Sequence, residues 1–269
     1  MMAFYKITYN RKHDFATVHN YGCTFKCPIC SYKLRSGAEG TPGLAYPRPD
    51  KYLTSQEVKD ALLSVSPRSV HFMGGEPTVS KMLPEILDFV KNEMKAETML
   101  GHTNGSNLSL KNLDGANVGL KAWKEDTHLL MTGIEKSRIY NEFTNAAKKG
   151  MKLAANLIYI PGLVDLDQID AVAEYIAGFG NIPFHIMGYI PVPGQPYRRP
   201  SVDEMEEAKK VAEKHIRNVK YSHLSPEEVL SLESNDDRFD VEVIAGAGPI
   251  RTLVPSKEDT SKTQCQTIF

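Results

Sequence analysis

The stretch His19-Asn20-Tyr21-Gly22-Cys23-Thr24-Phe25-Lys26-Cys27-Pro28-Ile29-Cys30 sets three of the chain's four cysteines in one C-x3-C-x2-C spacing. Three thiolates on a short loop can hold a soft metal centre, and three is one fewer than a closed four-ligand site needs. Two chemistries fit the spacing alone. One is an iron–sulfur centre short of one protein ligand. The other is a Cys3His zinc site completed by His13 or His19. The remaining cysteine, Cys265, lies in a polar tail and reads as a free surface thiol.

Working outward, 269 residues at 41% hydrophobic can bury the core of one large domain, as barrels do. Basic and acidic residues nearly cancel (32 against 33, net −1), so bulk charge makes no case for nucleic acid or an anionic membrane as partner. There is no twenty-residue apolar run, and Met1 to Arg11 is too polar for a leader. Three crowded cysteines do not make an easy disulfide framework and suit a reducing cytoplasm. A cytoplasmic protein is therefore expected.

The pattern alternates strand and helix. Phe15 to His19 reads as a strand feeding the cysteine loop. Thr54-Ser-Gln-Glu57 is a capping box opening a helix to about Ser64. Ser69 to Met73 is a short strand ending at Gly74-Gly75. Met82, Leu83, Ile86, Leu87, Val90 and Met94 make one helical stripe. Thr98 to His102 and Asn117 to Lys121 read as further strands, and Ser137 to Lys149 as a helix stopped by Gly150. Leu153 to Ile160 and Phe184 to Ile190 are the last two strands, with a helix through Ile176 between them. Ser201-Val-Asp-Glu204 caps another helix. Repeated β-then-α units imply a parallel sheet with right-handed crossovers, whose sites gather at the carboxyl ends of the strands.

Over roughly 19–221 the chain resembles the radical S-adenosylmethionine (SAM) enzymes related to the pyruvate formate-lyase activating enzyme. The resemblance implies an α/β fold, a partial (β/α)6 barrel over residues 1–223. Residues 224–269 would be a C-terminal extension packing on it, with Val241 to Ile244 and Ile250 to Val254 as a hairpin. It implies that Cys23, Cys27 and Cys30 ligate a [4Fe–4S] cluster whose fourth iron takes the amino and carboxylate groups of SAM. Ile29 matches the position that packs against the adenine. Gly74-Gly75-Glu76-Pro77 resembles the motif whose strand-end backbone and carboxylate meet the methionine ammonium. Thr103-Asn104-Gly105 and Lys121 match further cofactor positions, Lys121 pairing with the methionine carboxylate. Tyr159-Ile160-Pro161-Gly162 echoes a Val-Pro-Gly turn.

The chain also departs from that pattern. His102 stands where those enzymes carry the aspartate of Asp-Thr-Asn-Gly, and Gly119 where they carry that of Asp-Leu-Lys. Those aspartates hold a monovalent cation near the cofactor, so that site is not expected here. Asn156 replaces an arginine of the fifth strand and Ile190 a histidine after the sixth. His102 is either a barrel-interior group or a substrate contact.

The implied activity is reductive cleavage of SAM to a 5′-deoxyadenosyl radical that takes hydrogen from a small-molecule or peptide substrate. An electron donor such as a flavodoxin or ferredoxin is implied with it. Two alternatives remain at this stage: an activating enzyme that makes a glycyl radical in a partner protein, and a non-catalytic zinc or iron–sulfur module. Loops 37–50 and 191–200 lie at strand ends, where specificity varies. In the second, Arg198 and Arg199 read equally as a carboxylate or phosphate receptor and as a solvated pair.

Overall fold

The computed structural model describes residues 3–45, 48–231 and 241–247. Its strands and helices follow in the order β1 Ala3–Asn10, β2 Phe15–Tyr21, a short α1 Lys33–Ser36, α2 Ser55–Val65, β3 Ser69–Met73, a 3-10 turn Pro77–Val79, α3 Leu83–Asn92, β4 Glu97–Thr103 and β5 Gly115–Gly119. Then come α4 Glu125–Thr132, α5 Lys136–Lys148, β6 Lys152–Tyr159, α6 Leu166–Ala177, β7 Phe184–Gly188, α7 Val202–Glu213, β8 Val219–Ser222, α8 Pro226–Ser231 and β9 Val241–Gly246. The nine strands form one sheet in the order β8-β7-β6-β5-β4-β3-β2-β1-β9. Strands β2 to β8 are parallel to one another, and β1 runs antiparallel between β2 and β9. The sheet winds one way and does not close among the described residues, which makes it a partial barrel.

Two faces of different chemistry make this shape. On one face Ala16, Val18, Val70, Phe72, Leu100, Val118, Leu157 and Ile186 pack in one apolar cluster with helix residues such as Leu62, Ile86, Val90, Phe143, Val172 and Ala208. The alternate positions are polar yet buried: Lys6, Thr8, Thr17, His19, His71, Asn117 and Asn156. A strand alternates its side chains between faces, so these line the concave side of the sheet. A purely structural parallel sheet would carry apolar residues on both faces. The polar interior therefore marks a lumen built to meet something polar.

Local signals placed the helices well. Thr54 Oγ1 accepts the Glu57 N–H at 3.2 Å while Glu57 accepts the Thr54 N–H at 2.8 Å, the reciprocal capping box expected there. Ser201 and Glu204 repeat it on α7. The sequence reading did not foresee α1, α4 and α8, and three strands also depart from it. β1 was hidden because Lys6, Thr8 and Asn10 are buried, so its alternation does not end in water. β5 covers Gly115–Gly119, two residues earlier than expected, which puts Lys121 beyond the strand end. β8, only four residues long, follows the sixth β/α unit. In the C-terminal part β9 pairs with β1 (Ile7 with Ala245), while the second expected strand, Ile250 to Val254, and Cys265 lie outside the described residues. No helix among the described residues is long and apolar enough to cross a membrane.

Candidate active site

The cysteine loop leaves the carboxyl end of β2 and is pinned on three sides. Gly22 donates its N–H to the Gly43 carbonyl at 3.0 Å, and the Glu76 N–H donates to the Gly22 carbonyl at 2.8 Å. At its far side the Lys26 N–H reaches the Thr132 carbonyl at the end of α4 (3.3 Å), and the Phe25 ring meets His128 edge-on at 6.4 Å. The loop's sulfurs receive backbone donors: Phe25 N–H on Cys23 Sγ and Gly43 N–H on Cys30 Sγ, each at 3.4 Å. Asn104 Nδ2 adds a weaker contact to Cys23 Sγ at 3.9 Å. Such donors favour thiolate charge. Burial works the other way. It pushes the Cys23 thiol up and Cys27 up to about 11, with the Lys121 ammonium opposing both. Metal binding must then displace protons from these sulfurs.

Among the described residues no three His, Cys, Asp or Glu side chains stand close enough to share one metal ion. His19, one candidate fourth ligand for zinc, instead bonds Thr8 Oγ1 through Nε2 at 3.0 Å. Three free thiols on one loop are the donor set that an iron–sulfur cluster short of one protein ligand takes.

Beside the loop, β3 ends in Gly74-Gly75-Glu76. Both glycines have positive φ (87° and 53°), and a Cβ on Gly75 would land on the Gly22 carbonyl. Only glycine lets this turn lie against the cysteine loop. The Glu76 carboxylate, expected to face an ammonium, is held by protein donors. Glu76 is 0% exposed and its carboxylate accepts from Asn104 N–H (2.6 Å), Thr103 Oγ1 (2.9 and 3.0 Å), Thr78 Oγ1 (2.7 Å) and Thr78 N–H (3.1 Å). Burial pushes its carboxyl pKa up, and those donors oppose the shift. These bonds tie β3 to β4. Thr103 and Asn104 are likewise buried and engaged, Asn104 Nδ2 donating to Thr24 Oγ1 at 3.1 Å. Ile29 is 4% exposed in the main apolar cluster.

Lys121 folds back over the end of β5. A Cβ on Gly119 would lie 2.8 Å from Lys121 Nζ and 3.4 Å from Asn156 Oδ1, so the glycine makes the space that the ammonium occupies. Asn156 Nδ2 donates to Asn117 Oδ1 at 2.8 Å, and Asn117 Nδ2 lies 3.5 Å from His102 Nδ1. His185 pairs in register with Asn156. His102, Asn117, Asn156 and His185 thus form a polar row across β4 to β7. Burial in the lumen drops both histidines to about 4, with Lys121 adding to the effect at His102, and His102 and Lys220 adding to it at His185. Both rings are neutral at pH 7.

Sequence reasoning missed His185, whose only signal was a polar residue between Phe184 and Ile186 in a strand. It also missed Tyr32, whose hydroxyl accepts the Gly75 N–H at 3.2 Å. The Arg198 guanidinium forks onto Glu204 at 2.7 and 2.5 Å, and Arg199 Nη2 donates to the His223 carbonyl at 2.9 Å. The two contacts tie the loop 191–200 to α7 and to the segment after β8.

The sequence model of the Radical SAM superfamily matches residues 17–176, more than half of the chain. The chain belongs to this superfamily, whose enzymes combine a [4Fe–4S] cluster with SAM. A Methanocaldococcus jannaschii protein named as a candidate glycyl-radical enzyme activating enzyme is 26% identical over 222 residues, covering 78% of this chain and 81% of that protein. A Psychromonas ingrahamii GTP 3′,8-cyclase is 28% identical over 166 residues, which is 57% of this chain and 46% of the cyclase. Among solved structures, Streptococcus suis SuiB bound to SAM superposes with a TM-score of 0.58 at 16% identity, covering 80% of this chain and 52% of SuiB. A radical SAM methyltransferase from Sphaerobacter thermophilus gives 0.53 at 19% identity, over 78% of this chain and 67% of the other. At such identities the structures support the fold alone.

Proposed function

We propose that Cys23, Cys27 and Cys30 hold a [4Fe–4S] cluster and that the chain cleaves SAM reductively to act on a small-molecule or peptide substrate. The observation that carries this is the convergence of three loop thiols, the glycine end of β3 and the Lys121 ammonium at the carboxyl edge of one parallel sheet. When bound, cluster and SAM supply one electron and a 5′-deoxyadenosyl radical able to take hydrogen from an unactivated C–H bond.

The chain's own residues bind, orient and exclude water. The Gly74 and Gly75 carbonyls offer acceptors for the methionine ammonium, and Lys121 a charged donor for its carboxylate. Ile29, Thr103 and Asn104 shape the loop around the cofactor, with Asn156 backing the Lys121 ammonium. Glu76 braces β3 against β4 and sets its carboxylate beside the methionine ammonium. We place the substrate against the polar row of His102, Asn117, Asn156 and His185, which the cofactor assignment leaves unused. Residues 1–223 form the catalytic barrel and 224–269 its extension. An electron carrier such as a flavodoxin or ferredoxin completes the system.

A second reading, activation of a partner protein by making a glycyl radical, draws on the name of the M. jannaschii relative. A stable glycyl radical signal in a co-purified partner would select it. The main reading is tested by anaerobic iron reconstitution. About four irons per chain and a reducible signal are expected in the native protein and absent from Cys27→Ala. Full iron loading in that variant would overturn the ligand assignment.

A further inference from the structure

In the turn from Gly74 to Glu76 the Gly75 and Glu76 N–H groups and the Glu76 carbonyl have protein partners. The Glu76 N–H goes to the Gly22 carbonyl, and the Glu76 carbonyl accepts Asn20 Nδ2 at 2.9 Å. Asn20 Nδ2 also reaches the Gly22 carbonyl at 3.0 Å, tying the ends of β2 and β3 together. The Gly75 N–H is held at 3.2 Å by the Tyr32 hydroxyl, which reaches in from the segment just after Cys30. The carbonyls of Gly74 and Gly75 accept no hydrogen bond among the described residues.

The Gly74 carbonyl and the Gly75 N–H belong to one trans peptide plane and point in opposite directions. Fixing one fixes the other. Two glycines in succession leave this plane otherwise free to rotate, since neither carries a Cβ to limit it. Tyr32 supplies the restraint that the glycines lack.

We propose that Tyr32 is a positioning residue for the cofactor. Through the Gly75 N–H its hydroxyl holds the Gly74–Gly75 peptide so that the Gly74 carbonyl faces the methionine ammonium. This rests on the SAM-binding reading above. It adds that the cysteine loop reports its own placement to the ammonium subsite, because Tyr32 lies two residues from the last cluster cysteine. Loop and subsite are then assembled together.

The test is a cycle between ligand and protein. Iron-loaded native protein and Tyr32→Phe are titrated by calorimetry with SAM and with the analogue in which hydrogen replaces the α-amino group. Native protein should prefer SAM by about tenfold or more, the usual weight of a hydrogen bond to a charged group. In Tyr32→Phe that preference should fall by about fivefold or more, while analogue affinity, iron content and melting temperature stay as in the native protein. A variant that weakens both ligands equally, or keeps the full preference, overturns the positioning role and leaves the SAM reading standing. Native protein that binds neither ligand overturns the SAM reading and this inference with it.

Discussion

The Glu76 carboxylate accepts the Asn104 backbone N–H at 2.6 Å across the ends of β3 and β4. That bond makes two of the chain's motifs one structural unit. Gly-Gly-Glu at one strand end and Thr-Asn-Gly at the next are held in register by a buried acid.

Glu76→Ala should therefore act first on stability. It would strand the buried Asn104 and half-buried Thr78 N–H groups, at about 1–3 kcal/mol each, for a total of about 2–6 kcal/mol. Glu76→Gln keeps an acceptor oxygen and should lose roughly half as much. Denaturant unfolding of the two variants checks the order. A Glu76→Ala protein as stable as the native one would mean that the carboxylate is not the brace.

Lys121→Met should separate cofactor binding from cluster binding. Removing a charged donor from a carboxylate costs about 1.5–3 kcal/mol, so SAM affinity should fall about tenfold to a hundredfold with iron content unchanged. Calorimetry on the iron-loaded variant measures this. Unchanged affinity would return Lys121 to the role of a lumen cation near Cys27 and His102.

Acid should destabilise the chain through its interior histidines. His71 is 7% exposed, stacked on Phe15 at 4.8 Å, and burial lowers its pKa to about 4. The unfolded chain protonates near 6.5, so stability held above that pH is lost as pH falls toward 4. Between pH 7 and pH 5 the native protein should lose about 2 kcal/mol more than His71→Asn. Urea unfolding at the two pH values tests the difference, and equal losses would contradict the buried neutral imidazole.

Much of this was legible beforehand, for definable reasons. The cysteine spacing, the Gly-Gly turn and the two capping boxes are local signals, and local geometry carried them into the fold. What was hidden depended on what lies across space. β1 was obscured because Lys6 and Thr8 face a lumen instead of water. The inward turn of Glu76 could not be read from a motif, since its partners sit 27 and 28 residues further along the chain. Tyr32 carries no sequence mark at all; its role exists only once the cysteine loop folds onto Gly75.

The most direct measurement is the nucleoside product of the iron-reconstituted protein incubated anaerobically with SAM and a strong reductant, read by mass. The account predicts 5′-deoxyadenosine from the native chain and none from Cys23→Ala, Cys27→Ala or Cys30→Ala. Methylthioadenosine in its place, or full cleavage in any of those variants, would contradict it.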